Sequence, residues 1–359
     1  MTRVWLRWLP AVAVPAVIAA GIVVAPLQAG AAVELPAKTP EQVLAMVAQS
    51  PVRAFSGTVE QSSELGLPQV PAIGPSSSQD AASSALELLT GSHTARVYVD
   101  GPTNARIQVM DSLAERDLIR HGNDVWFFDS SERTATHLTL PARATKGDAA
   151  TGEGATPGAM QTPAQLAQRL LAAVEPSTRV TVGNDTSVAG RSAYDLVLTP
   201  RSSVTLVSSV SIAVDSKTGL PLSVEVRARG QQNPAFRLAF SALSLQKPSA
   251  DLFTFVPPPG ATVKRQALPE HNATSPAPKP GAVPKPAVSG SGWETVIEVP
   301  AGAVPTNILS SPLLAGATKA VSGGRLLSTS LVNVLLTSDG RVFAGAVPLD
   351  RLQAAAAGQ

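Results

Sequence analysis

The chain contains no cysteine, and this absence excludes several kinds of protein. Without thiols there can be no disulfide bonds, thiolate zinc sites, iron–sulfur clusters or cysteine nucleophile. A bacterial-type lipid anchor is excluded as well, because such an anchor is attached to a cysteine at the mature N-terminus. Any attachment of this chain to a membrane must therefore use another part of the sequence.

Net charge is almost absent too. The 28 Lys and Arg exceed the 26 Asp and Glu by two, and Arg3 and Arg7 are the only charged residues before Glu34. The rest of the chain is therefore neutral on formal charge. Such a protein has no strong electrostatic attraction to nucleic acid, so we do not expect a nucleic-acid partner.

Motifs for catalysis and metal binding are also missing. The four histidines, His93, His121, His137 and His271, include no pair at helical spacing, so they predict no metal site. The sequence contains no Gly-x-Ser-x-Gly motif, and Gly152-x-Gly154 lacks the strand and helix that flank a dinucleotide site. We therefore predict a protein that is not an enzyme and has no cofactor.

The first 32 residues predict export. Arg3 and Arg7 precede a long uncharged run that ends in small residues, as in a secretory signal peptide. The apolar stretch 8–27 is also long enough to cross a bilayer, so an uncleaved N-terminal anchor is the alternative. Both interpretations place the remainder of the chain outside the cytoplasm, in a secreted or periplasm-like envelope space.

The body of the sequence alternates apolar and polar residues with the period of two that is typical of half-buried strands. The pattern is clear in 93–100, 104–110 and 220–229. Two such meanders, each introduced by a short helix beginning at Thr39-Pro40 or Thr162-Pro163, predict one antiparallel sheet. We expect an α+β fold in which about ten strands curl into an unclosed half β-barrel over two or three short helices.

One strand of the second meander changes its pattern halfway. Phe236, Leu238 and Phe240 have one parity, whereas Leu243 and Leu245 have the other. A β-bulge shifts the parity of a strand by one residue. The sequence therefore predicts a bulge in this strand, or a strand that changes face.

Composition divides the chain into four parts. Residues 1–32 are the signal peptide or anchor, and residues 33–266 form the predicted half-barrel domain. Residues 267–292 are rich in Pro, Ala, Ser and Lys, which is typical of a semi-stiff linker. Residues 293–359 predict a small C-terminal α+β unit.

Three short motifs carry a resemblance to a known superfamily. They are Phe55-Ser-Gly-Thr-Val-Glu after the first helix, Asp215-Ser-Lys-Thr-Gly-Leu-Pro-Leu, and Ala250-Asp-Leu-Phe-Thr-Phe-Val-Pro-Pro-Pro-Gly. Together with the order helix, meander, helix, meander, they resemble the superfamily of the outer-membrane lipoprotein carrier LolA. The C-terminal unit is similar to that of the RseB/MucB regulators in Arg341-Val-Phe-Ala-Gly-Ala-Val-Pro. The resemblance implies a half-barrel with a hydrophobic cavity, although LolA carriers lack the extra domain of this chain.

The apolar parity of the strands gives the candidate cavity residues. They are Val97, Val99, Ile107, Val109, Trp126, Phe128, Leu196, Leu198, Ile212, Val224, Val226, Phe236, Leu238 and Phe240. Two functions remain open. The first is a LolA-like carrier or sensor that binds a lipid or a lipoprotein acyl chain. The second is an RseB/MucB-like regulator whose C-terminal unit binds an anti-sigma factor or another membrane protein.

Overall fold

The computed structural model describes residues 34–66, 91–110, 115–140, 162–172, 177–267, 286–304 and 312–358. The predicted leader, residues 1–32, and most of the predicted linker lie outside this set. Within it, every helix is too short or too polar to span a membrane.

The two predicted helices of the first domain begin with the same reciprocal cap. Helix α1 spans Pro40–Ala48, and α2 spans Pro163–Ala172. The backbone N–H of Gln42 donates to Thr39 Oγ1, and the N–H of Thr39 donates to Gln42 Oε1. Thr162 and Gln165 make the same exchange of hydrogen bonds. A Thr-Pro-x-Gln sequence therefore sets both start points, because each side chain satisfies an amide that the helix leaves unpaired.

One large open sheet forms most of the structure, with 13 strands joined mainly in antiparallel fashion. They are β1 (Ala54–Ser63), β2 (Gly91–Asp100), β3 (Asn104–Met110), β4 (Glu115–His121), β5 (Asp124–Asp129), β6 (Thr134–Thr139), β7 (Thr178–Val182), β8 (Thr186–Val188), β9 (Arg191–Pro200), β10 (Val207–Asp215), β11 (Pro221–Ala228), β12 (Phe236–Ser244) and β13 (Thr262–Ala267).

The strand order is β13-β6-β5-β4-β3-β2-β1-β12-β11-β10-β9-β7, with β8 attached to β9. Strand β1 therefore joins the two meanders, and the sheet remains open at β13 and β7. The prediction of a large unclosed sheet is confirmed, with 13 strands in place of about ten. The sequence did not indicate β13, which pairs in parallel with β6, because no local turn connects two parallel strands.

The predicted bulge is confirmed in β12. Residues Phe236–Phe240 and Ala242–Ser244 pair with β1 in two registers, and the shift falls between Thr58 and Val59 of β1. Phe236 and Leu238 before the shift, and Leu243 and Leu245 after it, all pack in one hydrophobic cluster. The extra residue therefore keeps apolar side chains on one face of the sheet along the whole strand.

A second sheet of six strands forms the C-terminal unit, in the order β14-β15-β19-β18-β17-β16. Its strands are β14 (Ala287–Ser289), β15 (Val296–Val299), β16 (Thr318–Val321), β17 (Gly324–Ser328), β18 (Asn333–Thr337) and β19 (Val342–Gly345). The helices α3 (Pro312–Ala317) and α4 (Leu349–Ala356) complete the unit. Leu335, Phe343 and Leu352 form its buried core, which places α4 against one face of this sheet. Strand β14 lies within the range predicted as linker.

Candidate functional site

Strand register assigns the apolar side chains to the two faces of the large sheet. Residues paired across antiparallel strands point to the same face. Val59 pairs with Ala95, and Ala95 with Val109, so these three share one face. Val59 also pairs with Phe240, which extends the same face into the second meander. We call this face the inner face and the opposite one the outer face.

Twelve of the fourteen candidate residues lie on the inner face. The pairings Val97–Ile107, Phe236–Val226, Leu238–Val224, Val224–Ile212 and Ile212–Leu196 connect them from strand to strand. Val99, Val226 and Phe236 are partly buried, and the other nine are buried. The twelve are Val97, Val99, Ile107, Val109, Leu196, Leu198, Ile212, Val224, Val226, Phe236, Leu238 and Phe240.

Trp126 and Phe128 lie on the outer face, away from the other candidates. Their ring centroids are 5.4 and 5.6 Å from that of Phe255, and Trp126 also stacks on His137 at 4.3 Å. Phe255 belongs to the closing segment, residues 250–260, whose Phe253 is buried. Trp126 and Phe128 therefore pack the closing segment against the outer face of the sheet.

The residue between them, Phe127, points to the inner face instead. It pairs with Leu118, and Leu118 pairs with Ile107. Three consecutive aromatic residues fit either parity, so alternation within β5 could not select among them. Only the register with β4 decides, and it adds Phe127 and Leu118 to the inner face, both of them partly exposed.

The described helices pack mainly against one half of the inner face. Val43 and Val47 of α1 pack with Leu196 and Ile212 in one cluster, whereas Leu166 of α2 packs beside Leu222 in another. Both helices therefore lie against β7–β12. Ala164 and Leu166 of α2 also belong to the cluster that contains Val97, Ile107 and Val109 of β2 and β3.

A buried carboxylate, that of Asp215, holds the hairpin Asp215–Leu222 in shape. Asp215 Oδ2 accepts a hydrogen bond of 2.5 Å from Arg191 Nε, and Oδ1 accepts bonds from the N–H and hydroxyl of Thr218. Burial by itself raises the pKa of Asp215, but the hydrogen bonds from Arg191 and Thr218 outweigh it and lower the pKa below its usual value. The carboxylate therefore stays charged within the fold.

The outer face holds two acids whose pKa values are raised. Burial raises the pKa of Asp117, although Arg106 Nη2 donates to it at 2.6 Å and opposes the shift. Burial, followed by the negative charge of Glu225, raises the pKa of Asp195 to about 6. Arg106 also donates to the carbonyl of Leu252, so the ion pair with Asp117 lies beneath the closing segment.

The two units contact each other through hydrogen bonds and apolar side chains. Leu206 N and Thr205 Oγ1 both donate to the carbonyl of Ala346 at 2.8 Å. Trp293 Nε1 donates to Thr178 Oγ1 at 2.8 Å, and its ring packs against the same cluster as α1. A cleft of about 380 Å³ lies at this junction.

In the described ranges, no three His, Asp or Glu side chains lie close enough together to bind a metal ion.

Comparisons with known proteins concern the fold. No protein-family model matches the chain, and no curated protein sequence matches it. Among solved structures, MucB in the Pseudomonas aeruginosa MucA/MucB complex is 17% identical, with a TM-score of 0.41, over 88% of this chain and 95% of that one. A LolA superfamily protein from Nitrosomonas europaea is 14% identical, with a TM-score of 0.24, over 61% of this chain and 99% of its own.

A putative outer-membrane lipoprotein-sorting protein domain from Vibrio parahaemolyticus is 11% identical, with a TM-score of 0.25, over 60% of this chain and 95% of that domain. This chain is therefore similar to these solved structures over most of their own length, at low sequence identity.

Proposed function

We propose that this protein is a non-enzymatic cell-envelope protein that binds a hydrophobic ligand, a lipid or the acyl chain of a lipoprotein, on the inner face of its large sheet. The observation that carries the proposal is an inner face that runs from Val97 and Ile107, which are buried, to Leu118 and Phe127, which are partly exposed. An apolar surface of this kind is suited to an apolar ligand.

An acyl chain matches this surface in chemistry. Each methylene that leaves water contributes about 0.8 kcal/mol, so a chain of ordinary length gains enough from burial alone to bind tightly. The surface offers it side chains of Val, Ile, Leu and Phe on consecutive strands. Arg106 and Asp117 form their ion pair on the outer face, whereas Arg116 and Arg120 pair with Val109 and Ala105 and so lie at inner-face positions on either side of Leu118.

The predicted export signal gives the proposed location. Residues 8–27 would serve as a membrane anchor if the leader is retained, and the sequence offers no cysteine for a lipid anchor. We propose that the described part of the chain acts outside the cytoplasm as a carrier or sensor.

The first test is lipid uptake by the full chain. Leu118→Glu puts a carboxylate at a partly exposed position of the inner face, where an apolar ligand would have to desolvate it. We expect this variant to bind dansyl-undecanoic acid about tenfold more weakly than the parent in a fluorescence titration, and to purify from its host with less lipid by mass spectrometry.

The matched control is Val263→Glu on the outer face, where Val263 is 45% exposed and pairs with Ala135. This variant should bind the dansyl fatty acid like the parent. A parent protein that binds no fatty acid and carries no lipid after purification would refute the proposal.

A second candidate function is that of a regulator whose C-terminal unit binds a membrane protein such as an anti-sigma factor. Its supporting observation is a pair of exposed aliphatic side chains on the small sheet. Val288 and Ile297 are cross-strand partners that are 67% and 44% exposed. They share a face with Ala344 and Val334, opposite to the face covered by α4. Exposed apolar patches of this kind commonly mark interaction surfaces.

For this candidate we expect Ile297→Asp in the full chain to abolish chemical cross-linking to the membrane partner in host membranes, because the new charge would be desolvated in the complex. Val256→Asp, at a 78% exposed position of the large unit, is the control and should cross-link normally. Equal cross-linking by all three proteins would exclude this surface as the docking site.

A further inference from the structure

The cleft between the two units has the chemistry of a ligand site that is separate from the inner face. We propose that it binds a small polyhydroxylated ligand, a monosaccharide or disaccharide. This proposal does not depend on lipid binding by the inner face.

Both units contribute walls to the cleft. Ser177 and Ser202 come from the large unit, and the loop from Ser289 to Glu294 comes from the small one. Helix α4 closes one side with Arg351, Ala354 and Ala355. The volume of about 380 Å³ falls at the small end of the range for ligand pockets, which suits one or two sugar rings.

Some of the hydrogen-bonding groups that line the cleft are not fully paired within the protein. Ser177 Oγ is buried, and among the described residues it has no hydrogen-bond partner. This hydroxyl has almost no area open to the cleft, so the polar groups that a ligand can reach are those of Glu294 and Arg351. Glu294 Oε1 accepts a bond from Ser202 Oγ at 2.5 Å, while its Oε2 is 3.9 Å from Arg351 Nη2.

The Glu294–Arg351 pair is loose and accessible. The two side chains are 36% and 51% exposed, and their separation of 3.9 Å exceeds a hydrogen bond. Each group therefore retains donors or acceptors for a third molecule. The carboxylate accepts hydrogen bonds and the guanidinium donates them. Together they match two neighbouring hydroxyls of a sugar, because each hydroxyl can both donate and accept a hydrogen bond.

The composition of the cleft argues against other ligands. The carboxylate of Glu294 disfavours a purely anionic ligand, and the serine hydroxyls around it disfavour an acyl chain, which would leave them unsatisfied. The apolar part of the lining, formed by Trp293, Val296 and Val347, suits the C–H surfaces of a sugar ring. Groups of both signs, several hydroxyls and an indole are the combination that fits a neutral polyol.

The loop that forms this wall depends on a glycine. Gly290 has a φ of +75°, and a Cβ at this position would lie 2.5 Å from the carbonyl oxygen of Glu294. Any other residue would push the loop away from Glu294 and change the shape of the cleft.

The test uses the full chain and saturation-transfer NMR with two disaccharides, N,N′-diacetylchitobiose and trehalose, and with dialanine as the peptide alternative. We expect at least one disaccharide to bind with a millimolar or lower dissociation constant. Ala354→Leu, which fills the cleft from α4, should abolish binding. Glu294→Gln keeps the bond from Ser202 but removes the charge, and should weaken binding about tenfold.

The control is Ala357→Leu, an exposed position directly after α4 that does not line this cleft, and it should bind like the parent. Circular dichroism spectra that match the parent will show that the variants are folded. The proposal is overturned if neither disaccharide binds at about 10 mM, if Ala354→Leu binds as well as the parent, or if dialanine alone binds.

Discussion

Gly219→Ala is expected to lower the free energy of unfolding by about 3 kcal/mol or more. Gly219 has a φ of +70°, and a Cβ on it would lie 2.1 Å from the carbonyl oxygen of Met46 in α1. The hairpin and the helix approach so closely that one of them must move to admit a methyl group. The loss should appear in urea unfolding of the full chain, monitored by circular dichroism.

Gly230→Ala is the matched control for this substitution. Gly230 has nearly the same backbone conformation, with a φ of +77°, but nothing lies within 4 Å of the position of its Cβ. Gly230→Ala should therefore lower the free energy of unfolding by only about 1 kcal/mol, the cost of holding an L-residue in the left-handed backbone conformation. If both variants lose the same free energy, the contact between α1 and the hairpin does not contribute to stability.

Asp215→Ala should destabilise the fold by about 3 kcal/mol, because it removes one partner of a buried ion pair. The Asp215 side chain is 1% exposed and that of Arg191 is 25% exposed, so the guanidinium would be left partly buried without its carboxylate. The backbone N–H groups of Lys217 and Thr218 would lose their acceptor too. Urea unfolding measures this cost.

The exposed pair Asp339–Arg341 provides the comparison, since Arg341 Nε donates to Asp339 at 2.7 Å on the surface. Asp339→Ala should have a much smaller effect than Asp215→Ala, because water screens the exposed pair. Similar losses for the two variants would contradict the assignment of Asp215 as the structural anchor of the hairpin.

The same carboxylate predicts how stability depends on pH. The folded-state pKa of Asp215 is below its value in the unfolded chain, so the unfolded state binds the proton more readily. The stabilisation is therefore complete above the unfolded-state pKa of about 4 and is lost as the pH falls through the lower folded-state value. Between pH 5 and pH 3 the parent should lose more stability than Asp215→Asn. Parallel pH profiles for the two proteins would exclude this contribution.

Local patterns in the sequence were sufficient for much of the fold. Alternation of apolar residues predicted the strands, Thr-Pro dipeptides predicted the helix starts, and the parity switch after Phe240 predicted the bulge that the pairing of β12 confirms. Each of these signals depends on residues that are close together along the chain, which is why they can be found without any tertiary information.

The site was predicted less completely for a physical reason. The choice between Trp126, Phe127 and Phe128 depends on which of them pairs with Leu118, a contact between two strands. The closing segment covers Trp126 and Phe128 only because the chain returns across the outer face about 130 residues later. Alternation within one strand contains no information about either event.

The sequence by itself excluded cysteine chemistry, predicted an export signal and carried the alternation that forms one large open sheet and a second, smaller sheet. Tertiary structure decided which apolar side chains share the inner face, the burial of Asp215 beside Arg191, and the cleft between the units. These features depend on strand register and on contacts between segments that are distant in the sequence. Such contacts form only when the whole chain folds, so no local pattern predicts them.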